Sequence, residues 1–268
     1  MASEDTTHFT SVDQTADPGF FIHFLDEANK LLDAIAWKPT ILDGLRLQAG
    51  ARVLDMGCGA GDDAFDLAGR VTPGGDVIGV DVSATLINEA TRRAVGRGLA
   101  VTFEVGDAQA LRFSDGTFDA VRTERMLMHV PDPEQALRDG PCAPARRSHR
   151  GRRLGLGNAV LRFLYRDTTH KIALSFCDGL KNGWIGRCLG RLLREIGMTD
   201  VSVSFRTVTV TYDFLQLLLG GHIVRAVSAG VLSEGEANLW WTHLARANDQ
   251  RMFLYGFTGF VACSIKPV

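Results

Sequence analysis

From Ala51 onward the chain alternates short apolar runs with helical patterns, and this alternation restricts the fold more than any other feature. ARVLDMG reads as a strand, DDAFDLAGR as a helix, DVIGVDVS as a strand, SATLINEATRRAVGRG as a helix and VTFEVGDA as a strand. FDAVRTER follows as a fourth strand after a turn at Ser114–Gly116. Continuous Val, Ile and Leu runs, separated by helices with Gly or Pro breaks, predict an α/β fold with a parallel sheet covered on both faces. A sheet of this kind places ligands beyond the carboxyl ends of its strands.

Other elements surround that core. Phe20–Ile35 carries Phe21, Phe24, Leu25, Ala28, Leu31, Leu32 and Ile35 at helical spacing, which predicts one amphipathic helix ahead of the sheet. In DPEQALRDG, Asp132 is a candidate N-cap, Pro133 suits the first helical position and Gln135 lies three residues after the cap. RLLREIGM ends another helix. VSVSFRTVTV alternates as a strand does, and YGFTGFVACSIKPV is a last strand expected to pair antiparallel with it. Between these two, Tyr212–Gln250 is predicted helical: an insertion roofing the site, with ordinary core packing as the equal alternative.

With 268 residues the chain suits one large domain, 51–268, preceded by an N-terminal tail and lid helices at 1–50. Its 29 Lys and Arg nearly balance its 31 Asp and Glu, so the surface as a whole has no bias toward a polyanion, and a small molecule is the expected partner. The five cysteines show neither CxxC spacing nor an even count, and no metal site is expected. The opening MASEDTTHFTSVDQTADPGF lacks an apolar targeting segment and no long apolar run follows, so a cytoplasmic protein without membrane contact is expected.

The chemistry lies at the strand tips. VLDMGCGAG delivers Gly57, Gly59 and Gly61 at the turn into a helix, where missing side chains let backbone N–H groups approach a ligand. A dinucleotide fold uses such a turn too. Asp55, two residues before the first glycine, would repel a pyrophosphate but attract the ammonium of an amino acid, which favours S-adenosylmethionine over a nicotinamide dinucleotide. Asp81 ends the second strand at about the twenty-residue spacing at which an acid meets ribose hydroxyls. Asp107 ends the third, placed to accept from an adenine amino group, with Ala108 beside it. Cys58 and Val82 adjoin these positions and complete the predicted cofactor set.

VLDMGCGAG, GVDVS, GDAQAL and FDAVRTERMLMHVPDPEQAL together resemble the class I S-adenosylmethionine-dependent methyltransferases. The likeness is to the branch that includes ubiquinone and menaquinone biosynthesis enzymes and many small-molecule tailoring enzymes. It is dense from about Ala51 to Arg138 and loose elsewhere. It implies a Rossmann-like, seven-stranded, mostly parallel sheet, and carries over Asp55, Gly57, Gly59, Asp81, Asp107 and Ala108 as cofactor contacts.

The pattern breaks at about 140–170. Where such proteins continue with a phrase like ARVLRPGG and an apolar strand, this chain has GPCAPARRSHRGRRLGLGNAVLRFLY. A solvated basic loop is one reading; an RNA-binding patch on Arg146, Arg147, Arg150, Arg152 and Arg153 is another. A third is a local frameshift in the nucleotide record: permissible codons for Gly140–Ala159, read one base later, spell ARVLRPGGRIVVADLDWET. Sequencing the gene through Asp139–Lys171 decides between them. If the chain is as written, NAVLRFLY is the substitute strand.

Methyl transfer from a sulfonium is an in-line displacement, so a positioned acceptor and one base suffice. His129, just after the fourth strand, is the candidate base, against a role in loop hydrogen bonding. Glu124 and Arg125 share that rim as candidate substrate contacts, against a surface ion pair; His222 and His243 are weaker candidates for the base. Amino-group methylation of adenine or glutamine goes with an Asn/Asp-Pro-Pro-aromatic motif, and that place here reads TERM. Trp184, Trp240 and Trp241 in the expected roof suggest an uncharged or aromatic acceptor methylated at O or C. A cofactor-binding protein of this fold without methyl transfer is the alternative, and an RNA methyltransferase is third.

Overall fold

The computed structural model describes residues 7–138, 140, 151–160 and 165–267, with the backbone alone over 151–160. Four strands form the parallel part of the sheet: Arg52–Met56 (β1), Asp76–Asp81 (β2), Val101–Val105 (β3) and Ala120–Thr123 (β4), ordered β3-β2-β1-β4. In β1, Val53, Leu54 and Met56 are wholly buried, as a central parallel strand with both faces covered requires. Its register aligns Val53 with Val77 on one side and Ala120 on the other, so the ends of β1, β2 and β4 fall side by side.

The crossovers are Asp62–Val71 (α3) and Ala84–Ala94 (α4). Ala64, Leu67, Ala68 and Val71 of α3 recur three and four apart and are all buried against the sheet. Ser83 caps α4 by accepting from the Leu86 N–H, as the sequence SATL invites. Asp132 likewise accepts from the Gln135 N–H at the start of Pro133–Arg138 (α5); Gln135 does not reach back to complete a box but donates to the Gln109 carbonyl.

Two expectations need correction. The segment Phe20–Ile35 is not one helix: Gly19–Asn29 (α1) ends before Leu31, whose extended backbone (ψ 124°) starts Leu32–Asp43 (α2). The break lets the two helices bury different faces, Phe21 and Ala28 from α1, Trp37, Ile41 and Leu42 from α2. Trp37 lies over Gly259, where a Cβ would stand 2.7 Å from its ring. The fourth strand is also shorter than FDAVRTER, because the chain leaves the sheet at Glu124 and Arg125 takes a left-handed conformation (φ 55°).

Downstream, the strand backbone Gly151–Val160 (β5) pairs parallel with β4. It is followed by Arg166–Asp178 (α6) and Ile185–Glu195 (α7), then by Thr199–Val210 (β6), Tyr212–Ser228 (α8), Glu234–Asp249 (α9) and Tyr255–Ile265 (β7). β6 and β7 pair antiparallel, Val203 with Ala262, as the alternation in both segments predicts. The stretch 212–250 is a helical pair, with α9 opened by a capping box between Ser233 and Glu236. Trp240 of α9 is buried in the apolar cluster beneath it and donates to Thr169 Oγ1 at 2.8 Å. Among the described residues, no helix is long and apolar enough to cross a membrane.

Candidate functional site

Beyond the carboxyl ends of β1, β2 and β4 opens a cavity of about 1170 Å³. Its floor is the turn after β1: Gly57, Cys58 and Gly59 line it, as do Asp81 and Val82 at the end of β2, and Gly106, Asp107 and Ala108 after β3. The parallel register makes this possible, since strands that start level also end level.

The glycines serve different purposes. Gly57 (φ 72°) and Gly59 (φ 55°) hold left-handed backbone that favours glycine, and a Cβ on Gly57 would stand 2.6 Å from that of Met126. At Gly59 the nearest obstacle is Leu25 of α1, so that glycine faces the space under the lid. Gly61, expected to contact cofactor, is not among the cavity-lining residues; a Cβ there would meet the Phe103 ring at 2.7 Å, so its bare Cα lets α3 approach β3.

Asp81 organises the floor. Its Oδ2 accepts from the Gly59 N–H at 2.9 Å and its Oδ1 from the Ser83 N–H at 3.0 Å. Each carboxylate oxygen has a second lone pair for a ligand hydroxyl. Burial pushes its pKa up, against the lowering effect of those two bonds. Asp107 is more open, with Oδ1 taking the Gln109 N–H at 2.8 Å, while Ala108 is buried and Val82 is half exposed. Cys58 is buried, and burial raises its thiol pKa.

Asp55 departs from its expected place. It is fully buried, absent from the cavity lining, and its Oδ1 accepts from the Arg122 guanidinium at 2.9 Å. Arg122, 2% exposed, also binds Asp63 and Glu124, and Lys38 of α2 pairs with Asp63 at 2.5 Å. The positive partner that sequence reasoning assigned to a ligand ammonium is thus supplied within the protein. Burial lifts the Asp55 pKa to about 6 despite the guanidinium beside it. Burial also acts to raise Asp63, but Arg122 and Lys38 outweigh it and hold that carboxyl below its ordinary range. This cluster was missed in the sequence; its one signal is an arginine inside the apolar run AVRT.

The rim residues do meet the cavity. Glu124 lines it with its carboxylate engaged by Arg122, and Arg125 reaches Asn29 of α1 with a 3.4 Å hydrogen bond. His129 lines it too; its Nδ1 lies 3.2 Å from Thr7 Oγ1 and its ring 5.1 Å from that of Phe9. Phe9 belongs to an N-terminal strap that sequence reasoning passed over. The strap is tied down where Asp13 accepts from the Ser83 hydroxyl and from the Ala84 and Thr85 N–H groups at the head of α4.

The roof is half as expected. Helix α8 contributes Phe214, Leu217, Leu218 and His222 to the cavity, while α9 contributes nothing. Trp184, Trp240 and Trp241 do not line it; Trp184 lies under Arg187 and Trp240 is core. The aromatic walls come instead from α1, α6, α8 and β7, with Phe24, Phe176, Phe214 and Phe257. His243 packs edge-on against Tyr165 and does not line the cavity. The proposed RNA patch and the frameshift reading fall on residues 141–150 and 161–164, outside the described residues, and on 151–160, described by backbone alone.

A methyltransferase-domain family matches residues 47–166. Over 243 residues the chain is 36% identical to an uncharacterized 37.1 kDa protein in transposon TN4556 of Streptomyces fradiae, covering 84% of this chain and 66% of that one. It is 33% identical over 119 residues to demethylmenaquinone methyltransferase of Lactobacillus johnsonii, covering 42% and 49% respectively. Among solved structures, phosphoethanolamine N-methyltransferase 2 of Haemonchus contortus in complex with S-adenosyl-L-methionine superposes with a TM-score of 0.59 at 19% identity, covering 98% of this chain and 60% of that one. The chain therefore spans less than two thirds of the length of each of these proteins.

Proposed function

We propose that the chain, whose residues 47–166 match a methyltransferase-domain family, is a class I S-adenosylmethionine-dependent methyltransferase related to the quinone-biosynthesis enzymes, and that it methylates an oxygen or carbon of a small, uncharged acceptor. One observation carries this reading. A single cavity joins the Gly57–Gly59 turn, Asp81 and Asp107 on its floor to an apolar wall opposite, so cofactor and acceptor share one space.

The floor suits the cofactor. Asp81, already fixed by two backbone N–H groups, presents remaining acceptor capacity to two ribose hydroxyls, each charge-assisted bond contributing about 1.5–3 kcal/mol. Asp107 accepts from the adenine amino group, with Ala108 and Val82 as apolar contacts for the base. The Gly59 backbone leaves room for the amino-acid end under Leu25, with Cys58 beside it. Bound there, S-adenosylmethionine supplies a methyl group activated by its sulfonium.

The remaining work falls to the chain itself. Helices α1 and α8 exclude water from the acceptor. Glu124 and Arg125, held by Arg122 and Asn29, shape the rim that orients it. His129 takes the acceptor's proton, placed by Thr7 and Phe9. We further propose one seven-stranded sheet, with β5 joining the parallel four to the antiparallel pair, a reading supported by the β5 backbone pairing with both β4 and β7.

The test is turnover. Incubated with S-adenosylmethionine and a library of small phenols, enols and alcohols, the purified protein should form S-adenosylhomocysteine and a product heavier by one methylene. Tight cofactor binding with no turnover across the library would instead identify a non-methylating member of the fold.

A further inference from the structure

The acceptor half of the cavity has a marked chemistry among the described residues. Every lining carboxylate comes from the approach to α1, from α3 or from the tips of β2, β3 and β4. The walls built by α2, α6, α8, β6 and β7 bring none. Their lining is mainly apolar, with Ile172, Phe176, Val208, Phe214 and Leu218, and the charged side chains they bring, Lys38 and Arg225, are cations. A cationic acceptor would lose its hydration there and gain no counter-charge. The mouth is apolar as well: Phe20 and Ile35 line the cavity and remain 40% and 51% exposed.

Within these walls α6 and α8 set a buried polar pair. His222 of α8, 6% exposed, lines the cavity, and its Nε2 lies 2.9 Å from Ser175 Oγ on α6. The Ser175 hydroxyl donates its only proton to the Ile172 carbonyl at 3.1 Å. In the tautomer that completes both bonds, the serine oxygen accepts from the ring Nε2–H and Nδ1 is left as an acceptor. Phe176 packs edge-on against the imidazole and fixes its plane, with ring centres 5.3 Å apart. Burial, with Arg225 one turn away, lowers the His222 pKa to about 4, so the ring is neutral at physiological pH.

We infer that this chamber takes a bulky, largely apolar acceptor carrying a hydroxyl, and that His222, held by Ser175, positions it by accepting a hydrogen bond from that hydroxyl. This rests on the methyltransferase reading above and names its substrate class. His222 is a substrate-positioning residue, distinct from His129 at the rim.

The experiment measures binding of 2-naphthol, naphthalene and phosphoethanolamine to the full chain in saturating S-adenosylhomocysteine. In the unaltered protein 2-naphthol should bind about five- to tenfold tighter than naphthalene, the worth of one hydrogen bond. In His222→Leu that preference should vanish while naphthalene affinity stays within twofold. Ala173→Phe, which fills the chamber from α6, should weaken both aromatic probes at least tenfold. Should His222→Leu fail to fold, Ser175→Ala removes only the hydroxyl that orients the ring, and should reduce the preference.

A hydroxyl preference that survives in His222→Leu, or stands undiminished in Ser175→Ala, overturns the assignment of His222. Phosphoethanolamine binding more tightly than 2-naphthol overturns the substrate class. S-Adenosylhomocysteine affinity should be the same in all variants. Its absence in the unaltered protein would defeat the methyltransferase reading itself, a result distinct from either of these.

Discussion

At the scale of single residues, the site depends on which charges face inward. Asp55 and Asp81 occupy equivalent positions in sequence, acids near the ends of apolar strands, yet only Asp81 lines the cavity. The difference is Arg122 on the neighbouring strand β4, whose register sets it opposite Asp55. Nothing in the spacing of VLDMGCGAG reveals that pairing, because it depends on which strand lies beside β1. Asp81, Val82, Asp107 and Ala108 were legible because strand-end position alone places them. Removing Arg122 leaves Asp63, Asp55 and Glu124 without their shared cation. Arg122→Met should therefore cost about 3–5 kcal/mol, read as a lowered midpoint in urea unfolding. A change under about 1 kcal/mol would mean that the cluster is well hydrated.

At the scale of elements, the N-terminal strap shows what periodicity cannot convey. The residues from Thr7 to Asp17 carry no regular pattern, and their placement comes from Asp13 capping a helix some seventy residues distant in sequence. The break between α1 and α2 was hidden because Leu31 and Leu32 keep the apolar rhythm through it. The alternating segments of β6 and β7 were readable since each alternates on its own. Burial works to raise the Asp13 pKa, but the bonds from Ser83, Thr85 and Ala84 overcome it and hold the carboxyl at about 2, below its ordinary 3.8. A depressed folded value means the cap stabilises above pH 4 and is lost as pH falls from about 4 toward 2. Asp13→Ala should remove this at neutral pH, accelerating amide exchange at Phe9–Thr15 and at Ala84–Leu86 while the β1 amides are unaffected. Unchanged exchange at those positions would show the strap to be held by Phe9 packing alone.

At the scale of the molecule, the α/β plan follows from the run of strands and helices after Ala51, and the plan fixes where a ligand can lie. The acceptor wall was less accessible to sequence reasoning, since it is assembled from α1, α2, α6, α8 and β7, segments far apart in the chain. The tryptophans that suggested an aromatic roof pack elsewhere, and phenylalanines from α1, α6, α8 and β7 line the wall instead. The central claim concerns the floor: that Asp81 and its neighbours bind a sulfonium nucleoside. Calorimetric titration of S-adenosylmethionine into the unaltered protein and into Asp81→Ala tests it directly. The predicted result is saturable binding that weakens at least tenfold, about 1.4 kcal/mol, on the substitution. Equal affinity in the two proteins would contradict it.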